Sequence, residues 1–398
     1  MITIEHKKNC SGCTACYAVC PKHCISMQSD DEGFLYPVVD TKICTDCGLC
    51  NKVCPIENPL DLTTKSFLHY VVQNKNEEEL TKSTSGGAFL PIARYVIERG
   101  GVVFGVVCDG EMKVRHEWEE TIEGCLRFSG SKYVQSDVGD SFRQVKQFLE
   151  EGRWVCFSGT PCQVAGLKAF LRKDYERLVL VDLVCHGVPS PLFFEKYVDY
   201  HSVRLGSKAV AYKSRDKESG LGYQASVIRF EDSTKKYSLG MEGDVLMRCF
   251  FSDYCSRPSC YECAFKTLNR VSDFTLFDCW GAKEENEKLK KGAATNVFVH
   301  TQKGEAIFSV IQNQFEWAES DLNRVIDRDG IMILNSVKCP PKRETFFVDL
   351  QHFSISEMEK KYLDTSFVRT LRILLKNYFY RFGLFEWYLK IKKWIGKK

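Results

Sequence analysis

Twenty cysteines give this chain of 398 residues most of its chemistry. Eight of them form two copies of one unit, in which three cysteines spaced CxxCxxC are followed by a cysteine directly before proline; the copies begin at residues 10 and 44. In such pairs, three thiolates of one copy and the proline-linked thiolate of the other copy hold one 4Fe-4S cube. The predicted ligands are Cys10, Cys13, Cys16 and Cys54 for the first cluster, and Cys44, Cys47, Cys50 and Cys20 for the second.

Disulfides and structural zinc are the alternatives to these clusters. The opening segment MITIEHKKNC is charged and lacks the apolar run of a signal peptide, so we expect a cytoplasmic location in which thiols stay reduced. Structural zinc sites use paired CxxC units with longer separations. Cys24 has no partner in the pattern and is predicted to pack rather than to bind metal. Two clusters in one small module make an electron wire, so we expect a redox partner further along the chain.

A third group of cysteines lies between residues 249 and 279. Cys260 and Cys263 form a single CxxC, which supplies only two of the four ligands that a cube needs. The other two must come from elsewhere, and Cys255, five residues before Cys260, is one candidate. A structural zinc ion and simple buried thiols are the alternatives to a third cluster.

Strand-like and helix-like segments alternate after residue 66. FLHYVVQ, GVVFGVVC, WVCFSG and LVLVDLVC are apolar runs typical of strands, whereas SGGAFLPIARYVIERG, SFRQVKQFLEEG and CQVAGLKAFLRK have the period of helices. Residues 208 to 240 are predicted to form hairpin strands. The predicted fold class is α+β or α/β, with a ferredoxin-like N-terminal domain, a mixed α/β domain and a helical tail.

The positive charge of the chain is concentrated in this tail. Residues 366 to 398 carry nine Lys and Arg and a single Glu, a net charge of +8, whereas the whole chain has +3 and residues 1 to 365 therefore have −5. Aromatic and basic residues alternate there as in a helix that lies on a membrane surface, and a helix packed on the domain with a solvated basic face is the alternative. Nucleic acid binding is not predicted, because the charge is terminal.

Six motifs in the α/β part resemble those of the family of coenzyme F-420 hydrogenase/dehydrogenase beta subunits. The sequence is most similar to the bacterial branch that carries an N-terminal domain with two 4Fe-4S clusters, and the resemblance covers about residues 5 to 345. It does not extend to a particular substrate. The motifs are STSGGAF (83–89), GSKYVQS (130–136), SGTPCQVAGLK (158–168), DLVCHGVPSP (182–191), RPSCYECAFK (257–266) and SDFTLFDCWG (272–281).

The resemblance implies a third 4Fe-4S cluster and an FAD. It assigns Cys162 and Cys185 as the ligands that complete the cluster of Cys260 and Cys263, and it places Cys279 where the family has an aromatic residue, so Cys279 is not expected to be a ligand. Glycine turns before helices suit the FAD pyrophosphate, and no GxGxxG or Walker loop is present. The residues expected to bind the flavin are Ser85, Gly86, Gly87, Ser131, Lys132, Tyr133, Gly159, Thr160, Pro161 and Gln163.

The resulting functional prediction is an iron-sulfur flavoprotein oxidoreductase. Electrons pass between a ferredoxin-like protein or a deazaflavin and an organic substrate, with His186 and Lys132 as predicted catalytic groups and Asp278 as a weaker candidate. The alternative is a relay subunit without chemistry of its own that docks on a separate enzyme, in a pathway of polysaccharide or glycan synthesis. The predicted divisions are a two-cluster domain (1–58), a flavin-binding part (66–170), a part with the third cysteine group (171–345) and the basic tail (346–398).

Overall fold

A computed structural model describes residues 1–60, 68–217, 225–239, 243–290, 292–382, 384 and 387. Its strands are β1 Ile25–Ser29, β2 Leu35–Val39, β3 Leu68–Asn74, β4 Val102–Cys108, β5 Val114–Glu119, β6 Val155–Gly159, β7 Leu178–Leu183, β8 Ala209–Asp216, β9 Ala225–Phe230, β10 Lys235–Leu239, β11 Phe274–Cys279, β12 Ala294–Val299 and β13 Phe315–Glu319.

Helices connect and cover these strands. They are α1 Ala15–Val19, α2 Leu49–Lys52, α3 Glu77–Lys82, α4 Phe89–Ile97, α5 Ile122–Cys125, α6 Ser141–Glu150, α7 Pro161–Leu171, α8 Pro191–Leu205, α9 Val245–Phe251, α10 Ala282–Glu285, α11 Gln302–Ile311, α12 Leu322–Arg328, α13 Ile331–Leu334, α14 Arg343–His352, α15 Ile355–Tyr362 and α16 Phe367–Arg381.

A mixed sheet of eight described strands forms the centre of the molecule. Its order is β13-β3-β12-β11-β7-β6-β4-β5, with parallel pairing from β11 through β7 and β6 to β4 and antiparallel pairing elsewhere. The parallel strands are apolar on both faces because helices and loops cover them, as the sequence pattern predicts. The predicted division between residues 170 and 171 passes through this sheet, since β6 and β7 pair side by side.

The two cysteine repeats form a small unit at the N-terminus. The strands β1 and β2 make an antiparallel hairpin, while α1 and α2 begin within the CxxCxxC segments and contain the third cysteine of each, Cys16 and Cys50. A buried ion pair fixes the hairpin turn to the body of the protein, because Arg343 of α14 donates two hydrogen bonds to the Glu32 carboxylate at 2.8 and 2.6 Å. The unit therefore lies at a fixed position relative to the rest of the chain.

The hairpin predicted for residues 208 to 240 is present as an antiparallel sheet of β8, β9 and β10, whose strands lie on both sides of the undescribed residues 218–224. It packs with α8, α9, α14 and α15 around one hydrophobic cluster. Phe346, Leu350 and Met358 are fully buried in that cluster, so the first part of the predicted tail belongs to the core. Of the remainder, residues 383, 385–386 and 388–398 lie outside the described residues.

Candidate functional site

The first predicted cluster has its cysteines together. Cys13 is buried, and burial together with the neighbouring thiols of Cys10 and Cys54 raises its pKa to about 12. The thiol of Cys16 has Cys10, Cys13 and Cys54 as its neighbours. The loop is held in place by Arg257, which donates to the carbonyl oxygen of Cys10 at 2.7 Å. Four thiols from two distant loops therefore converge, as a cube requires.

The cysteines predicted to hold the second cluster surround a small cavity. Cys20, Cys44, Cys47 and Cys50 line it together with Cys24. Backbone amides already point at two of these sulfurs: the amide of residue 2 donates to Cys50 Sγ at 3.2 Å, and that of residue 46 donates to Cys44 Sγ at 3.4 Å. Cys24 lies 3.4 Å from Cys20, sulfur to sulfur, and lines the same cavity, so its assignment as a packing residue stays a prediction. Donors of this kind stabilise the charge of cluster thiolates.

The two cysteines that the family resemblance assigned to the third group lie beside its CxxC pair. Cys162, Cys185, Cys260 and Cys263 line one cavity of about 110 Å³. Burial and the nearby thiols raise the pKa of Cys185 to about 12 and that of Cys260 to about 11. Residues of the N-terminal unit, including Ser11, line the same cavity, so the third group adjoins the first.

The rival cysteines lie elsewhere. Cys255 is fully buried in the hydrophobic cluster around α9, where Cys249 is its sulfur neighbour. Cys279 ends β11 and is contacted by the guanidinium of Arg328. Cys255 and Cys279 do not line the cavity of the third group. No group of three or more His, Cys, Asp or Glu side chains in the described ranges is arranged to hold a single metal ion.

A short strand–turn–helix segment positions Cys162. The strand β6 ends at Gly159, and Thr160 caps α7, whose first residue is Pro161. The cap is a capping box, in which the backbone amide of Thr160 donates to Gln163 Oε1 at 3.0 Å. The Thr160 hydroxyl lies 3.1 Å from Cys162 Sγ. The segment thus places Cys162 in the third cysteine group, whereas Gly159 lies on the opposite side of the segment.

On that other side lies the central cavity, of about 530 Å³. It opens beyond the carboxyl ends of β6, β7 and β11, where ligands of parallel sheets usually bind. It shares Cys185, His186, Gly187 and Val188 with the cavity of the third cysteine group, so the two sites have a common wall. The predicted flavin residues that line it are Ser85, Gly87, Ser131, Lys132, Tyr133, Gly159, Thr160 and Gln163.

Two of the predicted flavin residues do not line the central cavity. The amide of Gly86, expected to be free, donates to the Thr295 hydroxyl at 2.7 Å, and a side chain at this position would collide with the carbonyl oxygen of Val72. Gly86 therefore serves the packing of its loop against β3 and β12. Pro161 lines the third cysteine cavity instead. Gly86 lies in a turn and Pro161 begins α7, as the sequence predicts, but the fold uses both residues for other contacts.

The two predicted catalytic groups both face the central cavity. Lys132 Nζ donates to the carbonyl oxygens of Arg127 and Ser129 at 2.9 and 3.1 Å, and burial lowers its pKa to about 7. His186 Nε2 lies 2.8 Å from an Asp253 carboxylate oxygen, in the common wall. Two phenylalanine rings of α9 pack edge-on against the imidazole. Both groups are thus held in one orientation.

Two cations of the site were missed from the sequence. Arg215, at the end of β8, lines the central cavity and donates to the Asp278 carboxylate at 2.6 and 3.1 Å and to the Tyr133 hydroxyl at 3.3 Å. Lys217 donates to the carbonyl oxygen of Ser85 at 2.6 Å, and burial lowers its pKa to about 8. Both residues lie near the end of β8, where the sequence shows no functional motif. Only the folded chain brings them into contact with Asp278, Tyr133 and Ser85.

Two protein-family models match separate regions of the chain. The model for the 4Fe-4S dicluster domain matches residues 9–58, and the model for the C terminus of the coenzyme F-420 hydrogenase/dehydrogenase beta subunit matches residues 152–323. Residues 152–323 therefore belong to the family of coenzyme F-420 hydrogenase/dehydrogenase beta subunits. The predicted ferredoxin-type domain is confirmed, and the chain is an iron-sulfur electron-transfer protein.

Two curated proteins are similar to parts of the chain. The F subunit of the F(420)H(2) dehydrogenase of Methanosarcina mazei is 24% identical over 195 residues, which are 44% of this chain and 53% of that protein. The chain thus spans about half the length of this relative. An uncharacterized ferredoxin of Methanocaldococcus jannaschii is 33% identical over 76 residues, which are 19% of this chain and 87% of the ferredoxin.

A protein chain in a xenon-derivatized structure of the F-420-reducing [NiFe] hydrogenase complex from Methanosarcina barkeri is also similar. It is 18% identical, with a TM-score of 0.43, and the match covers 74% of this chain and 90% of that chain. A likeness at this TM-score is too weak to bear on the fold. Within the described ranges, none of the helices is both long and apolar enough to span a membrane.

Proposed function

We propose that the chain is an iron-sulfur flavoprotein oxidoreductase that moves electrons between a redox carrier and an organic substrate. The observation that carries the proposal is the common wall of the central cavity and the third cysteine cavity, formed by Cys185 to Val188. It supplies a contact between a one-electron centre and a pocket large enough for a cofactor.

Three groups of four thiols support three 4Fe-4S clusters. The first and third groups adjoin, because Ser11 and Ile56 of the N-terminal unit line the cavity of the third group. The first and second groups exchange one ligand each, since Cys54 lies with the first loop and Cys20 with the second. From these contacts we infer that the clusters lie in a row toward the central cavity, with the second cluster farthest from it, the first in the middle and the third next to it. The third set is proposed to consist of Cys162, Cys185, Cys260 and Cys263.

The central cavity suits FAD in charge and in shape. Lys132 and Arg215 line it, Lys217 bonds the carbonyl oxygen of the lining residue Ser85, and Asp278 is the acidic partner of Arg215. A positive edge suits a pyrophosphate, and the apolar wall that includes Phe250 suits an isoalloxazine ring. When bound, a flavin converts one-electron transfer into two-electron chemistry.

The chain's own residues have two tasks in this site. His186, oriented by Asp253, can hold a proton beside the cavity, and Lys132 can do the same with an amine whose pKa near 7 leaves both of its forms populated at neutral pH. Phe250 and Phe251 pack edge-on against His186 and hold its ring at this side of the cavity. The donor is proposed to be a ferredoxin-like protein or a deazaflavin, and either direction of electron flow fits this arrangement.

Quantification of iron and flavin in anaerobically purified protein tests the proposal. About twelve irons and one FAD per chain are expected for three cubes and a flavin. About eight irons would remove the third cluster. Twelve irons without flavin would favour the alternative, in which the chain relays electrons to a separate enzyme. The names of two relatives, a dehydrogenase subunit and a ferredoxin, are also compatible with that alternative.

We also propose that α16 lies on an anionic membrane surface. Its apolar side chains form one stripe at helical spacing, and that stripe points to solvent: Phe367, Leu371, Leu374 and Tyr378 are between 44% and 79% exposed, as is Phe382 directly after the helix. Residues of the opposite face, such as Ile373, are partly buried against the protein. The basic tail supplies attraction to anionic lipid.

Sedimentation with vesicles tests this second proposal. The intact chain is expected to bind vesicles of anionic phospholipid and to release at high salt, whereas the double variant Leu371→Ser, Leu374→Ser is expected to remain in solution. A matched control, Leu205→Ser, removes an exposed leucine at the end of α8 and should leave binding unchanged. Equal binding by all three proteins would refute the role of α16.

A further inference from the structure

Five cysteines line the cavity of the second cluster, although a 4Fe-4S cube takes only four protein thiolates. Four of the five are the predicted ligands, and the fifth is Cys24. The repeated unit does not include this thiol: the second copy begins 34 residues after the first, and the position that corresponds to Cys24 holds Asn58. Asn58 is exposed and donates to the carbonyl oxygen of Asn51 at 2.8 Å. The additional thiol is therefore particular to the segment that serves the second cluster.

The backbone fixes Cys24 at the wall of this cavity. Cys24 directly precedes β1, and its carbonyl oxygen accepts a hydrogen bond at 2.7 Å from the amide of Asp40, which follows β2. The chain turns sharply before it, and the amide of His23 donates to the carbonyl oxygen of Cys20 at 3.3 Å. Cys24 is only 6% exposed. The β1–β2 hairpin thus holds this residue beside the cluster ligands through main-chain contacts.

Two predicted ligands are the neighbours of the Cys24 thiol. Its sulfur lies 3.4 Å from that of Cys20, within the distance of a hydrogen bond between sulfur atoms. It also interacts with the thiol of Cys44, so it lies between two ligands of the same cluster. Buried free cysteines commonly act as small apolar residues. A residue that only filled this space would not need sulfur, whereas thiolate sulfur is the donor that iron-sulfur clusters select.

We propose that Cys24 is an alternative fourth ligand of the second cluster and exchanges with Cys20 at one iron. In the exchange, the bond between that iron and the Cys20 sulfur breaks and a bond to the Cys24 sulfur forms. The thiol proton of Cys24 moves to the released sulfur across the 3.4 Å contact. Four thiolates bind the cluster before and after the step, and no electron is gained or lost. A change between staggered rotamers of Cys24 moves its sulfur by about 3 Å, so the exchange requires no rearrangement of the backbone.

The exchange makes the two N-terminal clusters respond differently to the loss of one ligand. It rests on the second 4Fe-4S cluster of the proposed function and is independent of FAD and of the third cluster. The second cluster should remain complete without Cys20, because Cys24 takes the iron. The first cluster should not remain complete without Cys54, the counterpart of Cys20, because Asn58 supplies no thiol in the place of Cys24.

Iron analysis and electron paramagnetic resonance of variants of the intact chain, purified anaerobically, test the exchange. Cys20→Ala should keep its iron content and a four-iron second cluster, with a changed signal in the reduced state. The double variant Cys20→Ala, Cys24→Ala should hold either a three-iron cluster, recognised by its signal in the oxidised state, or no second cluster, a loss of up to about four irons. The matched control Cys54→Ala should show the same loss at the first cluster.

Two results would overturn the exchange. If Cys20→Ala loses its second cluster while the first is retained, Cys24 is a packing residue. If Cys24→Ala alone loses the second cluster, Cys24 is a required ligand and not an alternative one. A missing flavin or third cluster would affect all of the proteins equally, so it would count against the proposed function and not against the exchange.

A second measurement leaves Cys20 in place and decides the question if Cys20→Ala fails to fold. The unmodified protein and Cys24→Ala are titrated with ferricyanide, and the iron released from the second cluster is followed over time. Release should be several-fold faster in Cys24→Ala, because no other thiol there takes an iron from which Cys20 dissociates. Equal rates of release would refute the role of Cys24 as a ligand.

Discussion

Arg257 and Cys10 are joined by two contacts of one guanidinium, although 247 residues separate them in sequence. Nε donates to the carbonyl oxygen of Cys10 at 2.7 Å, and Nη2 lies 3.5 Å from its sulfur. Arg257 is fully buried, and its remaining donors bond Gln135 Oε1 and the carbonyl oxygen of Leu35. A single side chain thus joins the third cysteine segment, the first cysteine loop and the hairpin.

This contact predicts how the reduction potential of the first cluster changes when Arg257 is replaced. A cation beside a ligand sulfur stabilises the extra negative charge of a reduced cluster, so Arg257→Met should lower its reduction potential. The expected change is on the order of 60 mV, which corresponds to a tenfold change in a one-electron equilibrium. A redox titration followed by electron paramagnetic resonance measures it, with the second cluster as the internal reference. Full iron content with an unchanged potential would contradict the prediction.

The packing of α7 on the first loop predicts a further effect. A methyl group added at Gly166 would lie 2.8 Å from Cys13 Cβ and 2.9 Å from Cys13 Sγ, closer than side chains pack. Gly166→Ala should therefore displace Cys13 and cost about four of the irons, although alanine is the better helix former. Iron analysis of the purified variant measures this loss.

A control on the same helix separates the clash from a general weakening of α7. The side chain of Lys168 forms an ion pair with Asp174 at the surface. Lys168→Ala therefore changes the helix without placing any atom near Cys13. Its iron content should equal that of the unmodified protein. An equal loss in both variants would mean that the helix as a whole, and not the space beside Gly166, holds the first loop.

The local parts of the site could be predicted from the sequence, because their contacts are encoded by spacing. The eight N-terminal cysteines are such a case, since three ligands of each cluster lie within seven residues. The turn at Gly159 was likewise predictable as a strand end before a helix. Cys162 and Cys185 could be assigned only from the family resemblance, because nothing local shows that β6 and β7 end side by side.

Long-range contacts account for the rest. Arg215 lies in a segment with no distinguishing pattern, and Arg257 opens a motif in which only the cysteines suggested chemistry. Their roles depend on Asp278, Tyr133 and Cys10, which only the folded chain brings near. Gly86 shows the opposite case, a residue whose turn was predictable but whose amide is used by Thr295 across the sheet. Sequence spacing reports on neighbours within one element, whereas these contacts are set by how the elements pack.

The third cysteine group predicts different outcomes for two serine variants. Cys162→Ser removes one of the four converging thiols and should cost about four irons while the N-terminal eight remain. Cys255→Ser is the matched control, because Cys255 is fully buried in the hydrophobic cluster and lies outside the cavity of the third group. Its iron content should be unchanged. Loss of iron from the Cys255 variant alone would make Cys255 the ligand.

The buried amine of Lys132 predicts a titration near neutral pH. Because burial lowers its pKa to about 7, folding moves the equilibrium toward the neutral amine, which is the form that reacts with an acylating reagent. Labelling of Lys132 should therefore rise between pH 6 and 8, about three pH units below that of an ordinary lysine. Peptide mass spectrometry after brief labelling measures the profile. Lys82, an exposed lysine paired with Glu78, provides the reference, and a Lys132 profile that follows Lys82 would show that the amine is charged at neutral pH.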